Sequence, residues 1–179
     1  MVERTRLAIF ESFNDLLARK DLDKITVEMI AKGAGVSKAT FYRYFKDKYD
    51  VMAYNYKIFV DHSANPKTTH SYEELLYILF RDSEKNMEYL ENAFKYLGVT
   101  SFIEYVYEYS FDIVNRVTLD NRPEGLTESE VLQLDVFCHG VSRMFGKWIM
   151  GGYDLSAEDA SKALYGEMPE TLREYWWRD

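Results

Sequence analysis

The 179-residue sequence predicts an all-α fold, and three observations carry that prediction. Only 9 Gly and 3 Pro punctuate the chain, which leaves little room for loops. Apolar residues recur at spacings of three and four over long stretches. Several of those stretches follow Ser or Thr with an acidic residue three positions later, the signature of a helix start. Hydrophobic residues are 47% of the chain and charged ones 29%, the composition of a folded chain and not of a disordered one. The length suits one domain or two small ones, with a core that needs neither disulfides nor metal.

The elements follow in order. Leu7, Phe10, Phe13 and Leu17 place a first helix at about Glu3 to Arg19, with Leu22 and Ile25 carrying its apolar contacts into a short connection. Thr26 then reads as an N-cap with Glu28 in the positive first turn. Val27, Ile30 and Ala31 face inward on a short second helix, which Gly33 and Gly35 stop. Ser37 caps a third helix over Lys38 to Phe45. Asp47 caps a fourth, with Asp50 at its capping-box position, running to about Phe59 or Val60. The stretch from His62 to His70 reads as a connection, because Pro66 biases Asn65 away from helix.

Ser71 and Glu74 form the next capping box, with Leu75, Ile78 and Leu79 on the inner face. From Phe102 to Val117, Tyr105, Tyr107 and Tyr109 alternate as in a strand. The longer spacing Phe102, Val106, Tyr109, Ile113, Val117 decides for a helix. Pro123 and Gly125 break the chain. Thr127 and Glu130 make a further capping box. After it, Val131, Leu134, Cys138, Val141, Phe145 and Trp148 form a helical seam that Gly151 and Gly152 end. Ser156 and Asp159 start a last helix, with Gly166 and Pro169 as a kink or restart before Leu172 and Trp176.

Charge divides the chain. The net charge is −8, which taken whole argues against a nucleic-acid partner. Residues 1–60 hold 11 Lys or Arg against 8 Asp or Glu, a net of +3, and the remainder is −11. Two domains are expected, residues 1–62 and 63–179. Cys138 is the single cysteine, so neither a disulfide framework nor a multi-cysteine zinc site is expected. No apolar run reaches the roughly 18 residues of a membrane span, and Met1 to Phe10 lack the apolar core of a signal peptide. A cytoplasmic protein without membrane contact is the expectation.

The segment Thr26 to Lys48 reads TVEMIAKGAGVSKATFYRYFKDK, two short helices about a glycine turn, which is the helix-turn-helix layout. Leu7, Phe10 and Phe13 on one side and Val51 and Tyr54 on the other suit the cover these helices need. At 100° per residue, Phe41, Tyr44 and Phe45 share the buried side of the third helix. Lys38, Ala39, Tyr42 and Arg43 share the other, with Thr40 at its edge. Ala39 allows close backbone approach to a base pair, Lys38 or Arg43 can bond a guanine edge or a phosphate, and Thr40 can meet a base edge or a thymine methyl. Lys46 and Lys48 flank a helix N-terminus, where backbone N–H groups also attract phosphate.

This segment resembles the DNA-binding domain of the TetR family of transcriptional regulators. The likeness covers roughly residues 3–60, with the glycine turn, Val36-Ser37, Phe41-Tyr42 and Tyr44 to Lys48 in register. It implies DNA contacts by Thr26, Ser37, Lys38, Ala39, Thr40, Tyr42 and Lys48. Alanine at 39 and tyrosine at 44 stand where the family commonly has glycine and often histidine, which bears on base preference. The likeness further implies a helical C-terminal region that dimerises through its last two long helices and binds a small organic effector. Repression is the family's usual mode. The long helix with Gly140, Trp148 and Gly151 also resembles a short-chain branch that includes regulators of dihydroxyacetone use.

The second half carries 10 Tyr, 6 Phe and 3 Trp. Most of these belong to a core. A ligand pocket would draw on Phe80, Met87, Phe94, Phe102, Tyr105, Tyr109 and Met144, with the tyrosines as orienting hydroxyls. Its acidic, aromatic character favours a neutral or cationic ligand. Gly140 allows close helix approach. Val131, Val141, Trp148, Leu164, Leu172 and Trp176 suit either a subunit interface or the subunit core. His62, His70 and His139 make no metal-binding pattern, Cys138 reads as a buried thiol, and the pairs Glu73-Glu74 and Glu158-Asp159 are explained by helix first turns. Neither a metal nor a cofactor is expected, and no nucleophile–base constellation supports an enzyme. The rival to an effector-controlled regulator is an activator or adaptor whose second half binds a protein.

Overall fold

A computed structural model describes residues 2–63, 69–96 and 102–174, and among these every regular element is helical. The chain divides into two compact units, Met1–Ile58 and Phe59–Asp179.

The first unit holds α1 (Val2–Leu17), a 3₁₀ turn (Leu22–Lys24), α2 (Val27–Gly33), α3 (Lys38–Tyr42) and most of α4 (Lys48–Ser63). Local side-chain chemistry starts α2, α3 and α4 where the sequence says. Thr26 is extended and its hydroxyl accepts from the Met29 N–H at 3.3 Å. Ser37 does the same for Thr40 at 3.0 Å. Such caps contribute about 1 kcal/mol each. The end of α2 needs Gly35, whose φ of 67° is the left-handed region. Gly35 N–H donates to Lys32 O and Val36 N–H to Ala31 O, the paired bonds of a Schellman stop. Asp47 accepts from the N–H groups of Tyr49 and Asp50, while the Asp50 carboxylate reaches back to the Lys46 N–H.

Ile9, Phe13, Leu22, Ile25, Ile30, Phe41, Val51 and Met52 fill the core of this unit. Leu7, expected inward, is 43% exposed. The inner face of α1 is centred on Ile9 and Phe13, and Leu7 lies some 200° round the helix from Ile9. Third-helix geometry also ends early. α3 stops at Tyr42, yet Phe45 reaches the core through the following turn. α4 continues to Ser63, past the expected end, and Asn65 and Pro66 lie outside the described residues.

The second unit contains α5 (Tyr72–Glu84), α6 (Met87–Tyr96), α7 (Phe102–Asn121), α8 (Glu128–Ile149), α9 (Ala157–Gly166) and α10 (Glu170–Arg173). α5 packs on α9, while α8 is packed by α7, α6 and α10. Tyr105, Tyr107 and Tyr109 all lie on α7, so the longer periodicity prevails over the local alternation. Thr127 and Glu130 form a complete capping box at the start of α8. Gly151, at φ 71°, ends it. Phe80 sits 5.1 Å from Phe145 and 4.8 Å from Trp148 between ring centroids, the aromatic centre of this core. Pro169 caps α10, so the chain restarts there instead of kinking. Among the described residues no helix is long and apolar enough to cross a membrane.

Candidate nucleic-acid interface

α3 and the turn after it separate buried from exposed side chains, although Tyr44, expected on the buried side, is half-buried in that turn. Phe41 and Phe45 are buried, and Phe45 packs edge-on against Tyr54 at 5.5 Å. Arg6 lies over the Tyr54 ring at 5.4 Å, and Tyr54 donates to Glu3, so α1 and α4 brace the helix from behind. On the other side Lys38, Ala39, Tyr42 and Arg43 are exposed and Thr40 is half-buried at the edge. Tyr42 is 56% exposed, with its ring held edge-on to Phe41 at 5.5 Å. A large phenol left in solvent on a short, rigid helix is suited to stacking or to phosphate contact. Ala39 at the centre keeps the backbone accessible.

The capping residues join this surface. Ser37 donates its hydroxyl to Thr40 Oγ1 at 3.0 Å while accepting from the Thr40 N–H. This exchange fixes both hydroxyls at the start of α3. Lys46 is exposed beside the α4 N-terminus. Of the residues expected at the DNA, Thr26, Ser37, Lys38, Ala39, Tyr42, Arg43 and Lys46 are exposed and Thr40 is half-buried. Charge-assisted bonds to phosphate and direct contacts to base edges are the chemistry such groups support.

Two features of the surface escape a sequence reading. Lys48 does not simply project outward: its ammonium donates to Leu22 O at 2.7 Å and to Ile25 O at 3.0 Å. Glu28, explicable from sequence by the helix dipole alone, stands 4.0 Å from Lys38 and places a carboxylate beside the cations. The first is a contact across more than twenty residues and leaves no local signal. The second follows from the angle between α2 and α3.

In the second unit the seven aromatic and methionine candidates fall into separate groups. Phe80 and Phe94 both pack on Phe145, and a side chain at Gly146 would meet the Phe94 ring. Tyr105 stacks on Tyr109 at 6.2 Å, and Tyr109 donates to Asp61. Burial first, and then that bond, push the Tyr109 hydroxyl far up. Met87 is half-buried and Met144 exposed. Phe102 opens α7, and its side chain lies outside the described residues. An open groove of about 410 Å³ between the first turns of α5 and α9 has none of the seven in its lining, which includes Glu73, Glu74, Tyr77, Glu158 and Lys162.

The interface candidates divide as well. Val141, Trp148 and Leu172 are buried within the subunit, and Trp148 Nε1 donates to Leu155 O. They are core residues. Val131 and Gly140 are exposed, Leu164 is half-buried, and Trp176 lies outside the described residues. Gly140 and Met144 lie on a stripe of α8 with Leu132 and Val136, which no expectation named, each four residues on from the last and each exposed. Cys138 is buried, and burial, then Asp135, push its thiol up to about 12, which keeps it protonated and unreactive at neutral pH. Among the described residues no group of three His, Cys, Asp or Glu could hold a metal ion.

Residues 10–54 match the family model described as bacterial regulatory proteins, tetR family. No curated protein matches the sequence. Solved structures similar to this one include the dihydroxyacetone kinase operon activator DhaS, at TM-score 0.61 and 15% identity over 97% of this chain and 98% of that one. Another is the TetR family repressor AlkX from Dietzia sp. strain DQ12-45-1b, at 0.58 and 17% over 94% and 95%. A third is a TetR transcriptional regulator from Rhodococcus sp. RHA1, at 0.56 and 19% over 95% of each chain. At these identities the likeness is one of fold, and it extends over nearly the whole chain.

Proposed function

The chain carries the N-terminal helix-turn-helix domain of the tetR family of bacterial regulatory proteins, and from that premise we propose that it is a homodimeric, sequence-specific repressor of transcription, controlled by a small organic effector. The observation that carries the DNA reading is the exposed face of α3, where Lys38, Ala39, Tyr42 and Arg43 stand clear of the core with Ser37 and Thr40 at one end. One such helix reads only a few base pairs, so two copies must pair across half-sites about one helical turn apart.

The stripe of Leu132, Val136, Gly140 and Met144 supports the pairing. Leu132 and Val136 are 63% and 65% exposed, and nothing stands within 4 Å of where a Gly140 side chain would begin. An apolar stripe on the longest helix, with a gap at its middle, suits the same helix of a second copy. Effector binding would shift the spacing of the two reading helices and so their fit to the half-sites.

A second reading is an activator or adaptor whose second unit binds a protein. It is favoured by the tight packing of Phe80 and Phe94 on Phe145, which leaves the expected lining residues occupied with one another.

Selection of duplexes from a random-sequence pool by the full chain tests the DNA reading. Enrichment of a palindrome with half-sites about one turn apart supports it. Retention with no sequence enriched after repeated rounds would overturn it.

A further inference from the structure

We infer that Glu28 is a specificity residue for the DNA: its carboxylate accepts from the amino group of a cytosine, one base pair away from a guanine taken by Lys38. The inference rests on the DNA-binding reading above. Glu28 lies in the first turn of α2, and its carboxylate stands 4.0 Å from the Lys38 ammonium. Lys38 is the first residue of α3. In a helix-turn-helix the N-terminal residues of the second helix are the ones that meet base edges. The carboxylate is therefore within reach of the same edges.

Chemistry narrows what it can meet there. An ionised carboxylate only accepts hydrogen bonds. Phosphates repel it, and guanine and thymine present only acceptors in the major groove. Adenine donates from N6 but carries the N7 acceptor beside it, whereas cytosine presents its N4 donor alone. Cytosine is therefore the base that fits. Glu28 and Lys38 together offer an acceptor and a donor 4.0 Å apart, close to the rise of about 3.4 Å between successive base pairs. They suit a cytosine and a guanine in adjacent pairs. Stability places little claim on the carboxylate. The Thr26 hydroxyl already caps α2, and an ion pair whose side chains are 78% and 57% exposed contributes little. Both groups are free to leave it for a base.

The test selects duplexes from a random-sequence pool with the full chain and with Glu28→Ala, Glu28→Gln and Lys38→Met. The parent should enrich a cytosine next to a guanine in each half-site. Glu28→Ala should lose the preference for the cytosine alone, and Lys38→Met that for the guanine alone. Exchanging the C·G pair for T·A puts the thymine O4 acceptor where the N4 donor stood. In direct binding that exchange should weaken the parent about tenfold per half-site and leave Glu28→Ala nearly unchanged. Glu28→Gln should move the preference to adenine, whose N6 and N7 match an amide.

A cytosine preference that survives in Glu28→Ala would overturn the inference. So would a preference that softens evenly at every position, because that is the mark of a charge acting at a distance. A position lost in Glu28→Ala that is not adjacent to the one lost in Lys38→Met would overturn it as well. A parent that enriches a palindrome without the cytosine–guanine step removes this inference and leaves the DNA reading standing. A parent that enriches no sequence removes both.

Discussion

The phenol of Tyr107 lies flat on the imidazole of His139, ring centroids 3.9 Å apart and planes 4° from parallel. The Tyr107 hydroxyl donates to Asp135, one turn before His139 on α8, whose carboxylate is 3.9 Å from His139 Nε2. α7 and α8 are therefore joined at their surface by a stack and a hydrogen bond at once.

This joint should be visible at high pH. The bond to Asp135, then burial, then the carboxylate's charge push the Tyr107 hydroxyl up to about 12 from its ordinary 10. A raised tyrosine stabilises the fold fully below pH 10 and loses that contribution as pH rises toward 12. Urea unfolding of the parent and of Tyr107→Phe should differ by a constant amount up to pH 10, and the difference should shrink between 10 and 12. A difference that stays constant to pH 12 would show that the hydroxyl is not held by Asp135.

The start of α8 should be visible in acid. Glu130 accepts from the Thr127 hydroxyl and the Thr127 N–H, both at 2.7 Å, and from Arg122 at 2.8 Å. These groups, the Thr127 hydroxyl first, bring its carboxyl down to about 2. A lowered carboxylate contributes stability above its ordinary value of 4.5 and loses it as pH falls toward 2. Glu130→Gln should therefore be less stable than the parent at pH 7 and converge on it by pH 2. Parallel stability curves from pH 6 to 2 would contradict this assignment.

What was legible in the sequence is what is encoded within four residues. Thr26, Ser37, Ser71, Thr127 and Ser156 each cap the helix they were expected to cap, because an oxygen three residues before a free N–H is a local arrangement. The buried and exposed sides of α3 follow from its period for the same reason. What was not legible depends on a partner far along the chain. The bonds of Lys48 to Leu22 O and Ile25 O join residues more than twenty positions apart. Val141 and Trp148 share a seam with exposed Val131, and only the packing of α6, α7 and α10 on α8 says which part of that seam is core.

Close packing of α1 on α2 leaves no room at Gly33. A side-chain carbon there would collide with Ser12 Oγ, which is buried and donates to Ile30 O at 2.9 Å. Gly33→Ala should destabilise the first unit by about 1–3 kcal/mol, as overpacking does. Ser12→Ala removes the clashing oxygen, and Ile30 O keeps the Ala34 N–H as a donor. The double variant should therefore be more stable than the sum of the single losses, a positive coupling in a double-mutant cycle read by thermal unfolding. Simple additivity would mean that the strain lies elsewhere.

Glu28 should restrain indiscriminate DNA binding. Its carboxylate is 78% exposed and 4.0 Å from Lys38, too open a pair to stabilise the fold much. Beside a DNA backbone it would repel phosphate and offset the Lys38 charge. Glu28→Gln should raise affinity for random-sequence duplex several-fold and steepen its salt dependence, and gain less on the selected duplex, so that the ratio between them falls. An unchanged ratio would place Glu28 away from the DNA.

Gly140 offers the sharpest test of the paired state. It lies in the interior of α8, where glycine costs about 1 kcal/mol relative to alanine, and no neighbour in the subunit occupies the space beside it. Within one subunit a side chain would begin there in open space. Against a second α8, with Leu132, Val136 and Met144 aligned on the same stripe, a long charged side chain is not. Gly140→Arg should give a chain that keeps the parental helix content, sediments as a monomer at micromolar concentration, unfolds below the parental temperature because the stabilisation by pairing is lost, and binds the selected palindrome about a hundredfold more weakly, since two reading helices no longer act as one ligand. Gly140→Ala separates the helix effect from the interface effect: it should stabilise the isolated subunit and weaken the dimer only slightly. If Gly140→Arg sediments as the parent does, the stripe on α8 is not where two copies meet.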